Sequence, residues 1–265
     1  KVCYHLMPGL PGVSIDDELE CFNKIFNIEE FKPDMLKIYP TLVIEGTELY
    51  EKWKSGKYKE LDTESAVQLL TVIKSKVPKW IRIQRIQRDI PRQLIVAGVK
   101  SSNLRQLVKE KMAQLGLRCK CIRCREIGNS NRDAEFGNVK LVREDYNASQ
   151  GREIFLSFED IENALLVAYA RLRFPSQSWK EELENAGIVR ELKVVGRVVE
   201  IGKSAESKEW QHRGYGKKLV KECERIAKEE FSARKLFVNS GVGARNYYRK
   251  LGYELIANYM VKNLS

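Results

Sequence analysis

Apolar positions along this chain recur at two periods, and each change of period marks an element. The opening KVCYHLMPGLPG is strand-like. From Ser14, SIDDELECFNKIF sets Ile15, Leu19, Phe22, Ile25 and Phe26 at helical spacing behind a capping serine and a first turn of acids, which predicts a helix. DMLKIYPTLVI reads as a short strand closed by Pro40, and DTESAVQLLTVIKSKV as a helix capped at Asp62 or Thr63, with Glu64 in its first turn. Ile81-Arg82-Ile83 reads as a strand running into a basic loop. SSNLRQLVKEKMAQLG follows as a helix capped at Ser101 or Ser102 and stopped by Gly116. Strand and helix in alternation imply βα units of a parallel sheet or partial barrel, whose functional residues gather at the C-terminal strand ends.

Further on the pattern changes. Residues 128–151 are polar and read as a connection between domains. EIFLSFEDIENALLVAYARLRF gives two apolar strands around the turn EDIEN, a hairpin, and GIVRELKVVGRVVEIG one or two strands more. The closing order is a helix from Gly214 to Phe231, a strand from Lys235 to Val238, a helix from Ala244 to Leu251, and strands around Tyr253 and Tyr259. The fold class is therefore α/β, with two domains expected and the first of them truncated.

Composition changes this picture in one respect. A 43% apolar share over 265 residues is ordinary for a soluble globular protein. The longest apolar run, ALLVAYA, falls far short of the ~18 residues of a membrane span, so a soluble, cytoplasmic chain is expected. The net charge of +11, however, is concentrated: residues 76–125 hold 14 Lys or Arg against two Asp or Glu. In KWIRIQRIQRDIPRQ, Arg82, Arg85, Arg88 and Arg92 stand among isoleucines with Asp89 as the single counter-charge. A basic face attracts polyanions, so nucleic acid is the leading partner and an anionic membrane surface the second, against the plain alternative of a solvated face. The chain opens at Lys1 without a methionine or a leader, which suggests a fragment that begins inside a domain.

Three of the six cysteines crowd into RCKCIRCRE. Residues two apart on an extended chain are badly placed for a mutual disulfide, whereas the C-x-C-x-x-C turn of Cys119, Cys121 and Cys124 can aim three thiolates at one soft cation. Flanking Arg118, Lys120, Arg123 and Arg125 favour the thiolate form. Structural zinc is the reading, with the fourth ligand open between Cys21, His5, a water or a segment outside the chain; ordinary cysteines in a basic loop are the alternative.

The second chemical motif is EWQHRGYGKKLVKECERIAKEE. A loop carrying Gln211, His212, Arg213, Gly214, Tyr215 and Gly216 runs into an amphipathic helix that buries Leu219, Val220, Cys223 and Ile226. Glycines allow close backbone approach, and free amides at a helix start bind phosphate. With GVGARNYYRKLGYELIANYMVK, where Arg245, Asn246, Tyr247 and Tyr248 precede Gly252-Tyr253, the loop resembles the GCN5-related N-acetyltransferase fold. That resemblance implies acetyl-CoA pyrophosphate on the loop amides, pantetheine between two splayed strands, and a late-helix tyrosine near the thioester sulfur. A phenol suits that position because it can donate a proton to the departing thiolate. Tyr248 is the first choice and Tyr247 the second, since neighbours on a helix point about 100° apart.

Segments spread from end to end carry a narrower resemblance: HLMPGLPG, FKPDMLKIYPTLVI, IQRDIPRQLIVAGVKSSNLRQL, LRCKCIRCREIG, IVRELKVVG and GVGARNYYRKLGYELIANYMVK. Together they resemble the Elongator catalytic-subunit family, radical-SAM acetyltransferases that modify the wobble uridine of tRNA. The resemblance implies residues 1–95 as the C-terminal portion of a radical-SAM-type barrel, 96–150 as a basic linker with the cysteine zinc motif, and 151–265 as the acetyltransferase domain. It implies tRNA contact by Arg82, Arg85, Arg88 and Arg92 in a cleft between the domains, with Trp80 as a neighbouring aromatic for stacking. It implies acetyl-CoA contact by Glu191, Leu192, Lys193 and Val194, by Trp210, Gln211, His212 and Arg213, by Gly214 and Gly216, and by Tyr248. Other Elongator-type subunits or self-association are implied as partners.

Two side chains depart from the family: a His is usual at Lys193 and a Phe at Trp210, so backbone contacts are expected there and a specific side-chain role is not. The three-cysteine motif that would hold a 4Fe–4S cluster with S-adenosylmethionine does not precede KVCYHLMPGLPG. The radical step is therefore expected of a barrel half outside this sequence. A protein lysine N-acetyltransferase, with Glu200 or Glu191 as base, is the first alternative, and a tRNA-binding fragment without catalysis the second.

Overall fold

The computed structural model describes residues 1–127, 138–177, 183–195 and 214–264, and the statements below concern these. The chain divides into two units, Lys1–Cys124 and Arg125–Ser265.

In the first unit, β1 (Cys3–Leu6), β2 (Met35–Ile38) and β4 (Arg82–Arg85) form a parallel sheet in the order β1-β2-β4. Its hydrophobic face arises from alternation: Leu36, Ile38 and Ile83 are fully buried, while Met35 and Lys37 point the other way. Against that face pack α1 (Ile15–Asn27), α3 (Thr63–Lys76) and α4 (Leu104–Gln114), contributing Phe22, Phe26, Leu70, Ile73, Leu104 and Val108 to one core. Truncating a fully buried residue such as Ile83 to Ala would cost on the order of 2–5 kcal/mol. The start of α1 is fixed by a capping box, in which Ser14 Oγ accepts from Asp17 N and the Asp17 carboxylate accepts from Ser14 N. Asp62 caps α3 through Ser65 N. The cap of α4 differs from the sequence expectation: Asn103, not Ser101 or Ser102, is the flanking residue, and no side chain caps it. Gly116 ends that helix in the left-handed region, at φ 65.

Pro40 closes β2 as expected, but Leu42–Ile44 is a separate strand, β3, antiparallel to β5 (Ile95–Gly98). With α2 (Glu48–Lys54) the pair encloses a small core of Val43, Tyr58 and Ala97. A last short helix, α5, spans Ile122–Arg125.

The second unit is one seven-stranded sheet. It comprises β6 (Val139–Ala148), β7 (Gly151–Asp160), β8 (Leu165–Pro175), β9 (Ala186–Val194), β10 (Lys235–Val238), β11 (Glu254–Ile256) and β12 (Tyr259–Asn263), in the order β11-β12-β10-β9-β8-β7-β6. All neighbours are antiparallel except β9 and β10. The hairpin of β7 and β8 forms as the two apolar runs predict. The polar segment before it does not remain a connection throughout, because residues 139–148 form β6. There Ser149 and Gln150, both at positive φ (46 and 57), make the two-residue turn that twisted strands favour. The signal was muted because β6 is an edge strand: Tyr146 and Ala148 are buried, while Lys140, Arg143 and Asp145 face water.

Helix α6 (Tyr215–Arg225), continued by a wider turn over Ile226–Glu230, lies on one sheet face. Ala168 and Ala170 of β8 let it approach closely, and Leu219, Val220, Cys223 and Ile226 close the core against Ile154, Leu156, Leu172 and Val189. On the opposite face Arg171 is 1% exposed, its guanidinium lying against the Phe155 and Tyr169 rings and paired to Glu191 at 3.0 Å. A buried cation needs such a partner. No described helix is long and apolar enough to cross a membrane.

Candidate functional site

The parallel pair β9 and β10 is joined only at its start. Register runs from Ala186 opposite Lys235 to Val189 opposite Val238, and there it stops, while β9 continues to Val194 along β8. A bulge falls where Arg171 pairs with Glu191 and Leu172 with Val189, leaving Arg190 as the extra residue, tied to Glu153 at 2.9 Å. The two strands therefore part from residue 190 onward, and the backbone of Glu191–Val194 is paired on one side. Leu192 and Val194 pack against the core beneath α6. Glu191 and Lys193 point away, Glu191 to Arg171 and to the Tyr169 hydroxyl at 3.1 Å, Lys193 to Glu126 at 3.3 Å. Both side chains are thus held in ion pairs.

Beside this opening α6 begins. Gly214 occupies its N-cap in the left-handed region at φ 77, which a side chain would strain, and no side chain caps the amides that follow. The eleven-residue helix directs its positive end there. At Gly216 a Cβ would meet the Tyr247 hydroxyl at 3.0 Å and Val194 at 3.5 Å, so the missing side chain is what lets strand, helix start and tyrosine converge. Trp210, Gln211, His212 and Arg213, as well as Glu200, lie outside the described residues.

Tyr247 and Tyr248 stand on α7 (Arg245–Arg249), after a short 3-10 turn over Val242–Ala244. Their rings meet edge to face at 5.1 Å. Tyr247 is 39% exposed, with its hydroxyl over Gly216; Tyr248 is 5% exposed and packs edge-on against Tyr253. Burial pushes the pKa of both phenols up, that of Tyr248 furthest, with Tyr247 and Cys223 adding to the rise, so each remains a neutral donor. Two further polar atoms lie at the same end of β10: Ser240 Oγ and Arg245 Nε are buried and have no partner among the described residues. Orphaned donors beside an unzipped strand fit a polar, extended ligand such as the pantetheine and phosphates of acetyl-CoA. The sequence reading passed over Ser240, which precedes the motif, and named Arg245 in the motif without giving it a contact.

In the first unit the cysteine turn also closes. The sulfurs of Cys119, Cys121 and Cys124 all lie within 4.8 Å of one another, and neither Cys21 nor His5 belongs to the group. A tetrahedral thiolate site holds its sulfurs about 3.8 Å apart, so a small contraction suits the set to a zinc-like cation. Hydrogen bonds from Cys119 and Cys121, and then Lys74, hold the Cys124 thiol well below its ordinary pKa.

The four arginines fare differently from one another. Arg82 lies within β4, Arg85 pairs with Asp89, and Arg88 stacks its guanidinium on the Tyr39 ring at 6.0 Å. Arg92 opens a 3-10 turn and is exposed. Trp80 is not a free stacking surface, since it packs against the core. Tyr39, just past the end of β2 and also half-buried, meets His5 of β1 edge-on at 5.8 Å. The C-terminal ends of the parallel strands thus gather His5, Lys37, Tyr39 and Arg88.

Residues 33–114 match the Radical_SAM C-terminal domain and residues 123–253 the Acetyltransferase (GNAT) family. The chain is 51% identical over its full length to a tRNA uridine(34) acetyltransferase of Methanocaldococcus jannaschii, covering 50% of that protein. It is 46% identical to Elongator complex protein 3 of Homo sapiens, again over its full length and 49% of the relative. The solved archaeal Methanocaldococcus infernus Elp3 with an N-terminal deletion superposes with a TM-score of 0.89 at 52% identity, over 99% of this chain and 63% of that one. Over its full length the chain is similar to Elongator catalytic subunits. It spans about half the length of the family members it matches. Of the elements described, β9, β10, α6 and α7 lie within the acetyltransferase match, and β2 and β4 of the parallel sheet within the radical-SAM C-terminal match.

Proposed function

We propose that this chain is the acetyl-CoA-opening and tRNA-docking half of a cytoplasmic tRNA carboxymethyluridine synthase, acting on C5 of the wobble uridine. The observation that carries the reading is the parting of β9 from β10 beside the start of α6 and the two tyrosines of α7, in a chain matched throughout by tRNA uridine(34) acetyltransferases. Acetyl-CoA supplies an activated acetyl group. The backbone of Glu191–Val194 would hold its extended arm, the helix-start amides of Gly216 and Lys217 its pyrophosphate, and Ser240 and Arg245 would find partners along it. Tyr248, kept neutral by burial, would donate to the departing sulfur, with Tyr247 as the neighbouring candidate. Arg88 and Arg92, with Tyr39 as a stacking ring, would meet single-stranded tRNA. Zinc would fix the Cys119, Cys121 and Cys124 turn. Joining the acetyl carbon to the base requires S-adenosylmethionine and a 4Fe–4S cluster, which this reading assigns to the portion of the relatives beyond the present chain. Partner subunits of the Elongator type fit the same reading.

Free CoA released from acetyl-CoA tests it, with no addition, with folded tRNA and with a lysine-rich peptide. Release on tRNA alone, reduced about 10²-fold or more in Tyr248→Phe, is expected. Release on peptide without tRNA would replace the reading with a lysine N-acetyltransferase, which the ion-paired Glu191 equips poorly with a base. Tight tRNA binding without release would leave a binding fragment.

A further inference from the structure

Helix α3 carries a lysine where its apolar stripe calls for a hydrophobe. Lys74 stands four residues after Leu70 and three before Val77, and it is 2% exposed. Buried lysines are rare without a compensating acid. Here the partner is sulfur: Nζ lies 3.5 Å from Cys124 Sγ, within reach of an N–H···S hydrogen bond. Arg105, a second cation near the cluster, directs Nη2 to the Ile83 and Gln84 carbonyls at 3.4 and 3.3 Å, whereas Lys74 Nζ is placed on sulfur.

Charge counting gives the arrangement a purpose. A divalent cation bound by three thiolates carries one excess negative charge; with Cys121 fully buried and Cys119 half-buried, only the exposed Cys124 leaves part of that charge to solvent. We infer that Lys74 is the buried counter-cation of a three-thiolate metal site formed by Cys119, Cys121 and Cys124, donating a hydrogen bond to Cys124 and bringing the loaded site to neutrality. The inference rests on the zinc-type reading of the cluster. It assigns Lys74 a positioning role: the ammonium fixes the Cys124 sulfur and stays outside the ligand set. Sequence spacing alone could not find it, because the lysine lies about fifty positions before the cysteines.

Cobalt(II) titrated into the full chain under reducing conditions tests this, with thiolate charge-transfer bands reporting occupancy and d–d bands the ligand set. Lys74→Met is expected to weaken cobalt binding at least tenfold while leaving the d–d envelope unchanged. Unchanged affinity would overturn the inference, and so would an altered envelope, which would make the lysine a ligand. A wild-type chain that binds no metal would overturn the metal reading itself and this inference with it. Should circular dichroism show Lys74→Met to be unfolded, wild type loaded with cadmium-113 and labelled with nitrogen-15 lysine decides the matter. An ammonium-type Nζ signal uncoupled to cadmium supports the assignment, and a coupled amine overturns it.

Discussion

The Tyr247 hydroxyl occupies the space where a side chain at position 216 would begin. Gly216 lies inside a helix with ordinary φ, so Gly216→Ala should leave the melting temperature unchanged or raise it, by the ~0.5–1 kcal/mol that alanine gains over glycine in a helix. The added methyl would displace Tyr247, and acetyl-CoA affinity should fall several-fold in a calorimetric titration. Gly216→Ala with Tyr247→Phe, which removes the contacting oxygen, should recover much of that loss. The contrast with Tyr248→Phe separates the tyrosines: one should alter affinity, the other turnover. Residue chemistry of this sort was partly legible in the sequence. The motif placed both tyrosines and both glycines near the cofactor and included Arg245, but Ser240 and Lys74 emerge only from burial, which no spacing rule reports.

Elements were legible wherever a periodic apolar face coincided with a cap. The capping box of α1 is such a case, and Ser14→Ala should destabilise the chain by ~1 kcal/mol in urea denaturation. Legibility failed where one face is solvated or the segment is short: β6 was masked by its charged outward positions, and β3, β5 and α2 by their brevity. The arginine run was read as a uniform surface, whereas folding divides it. Arg85 is already neutralised by Asp89, while Arg88 and Arg92 face solvent. Measured against salt, the log affinity for tRNA should lose about 0.7–0.9 of slope in Arg88→Ala or Arg92→Ala, and less in Arg85→Ala.

Across the whole molecule, two units with separate cores share one chain, and their chemistries differ in what holds them. The first is expected to depend on a bound cation: a chelator under reducing conditions should lower its melting temperature by on the order of 5 °C in scanning calorimetry, an effect abolished in Cys121→Ser. The second depends on a sheet whose middle seam is left open. Beyond Val189 the strand that would receive the cofactor is supported by β8 alone, so peptide groups there exchange their hydrogens with water unless something lies alongside. A bound extended ligand would act as a substitute strand. Amides between residues 190 and 194 should then slow their deuterium uptake when acetyl-CoA is added, while those of β7 and β8, already shielded on both sides, keep their rates.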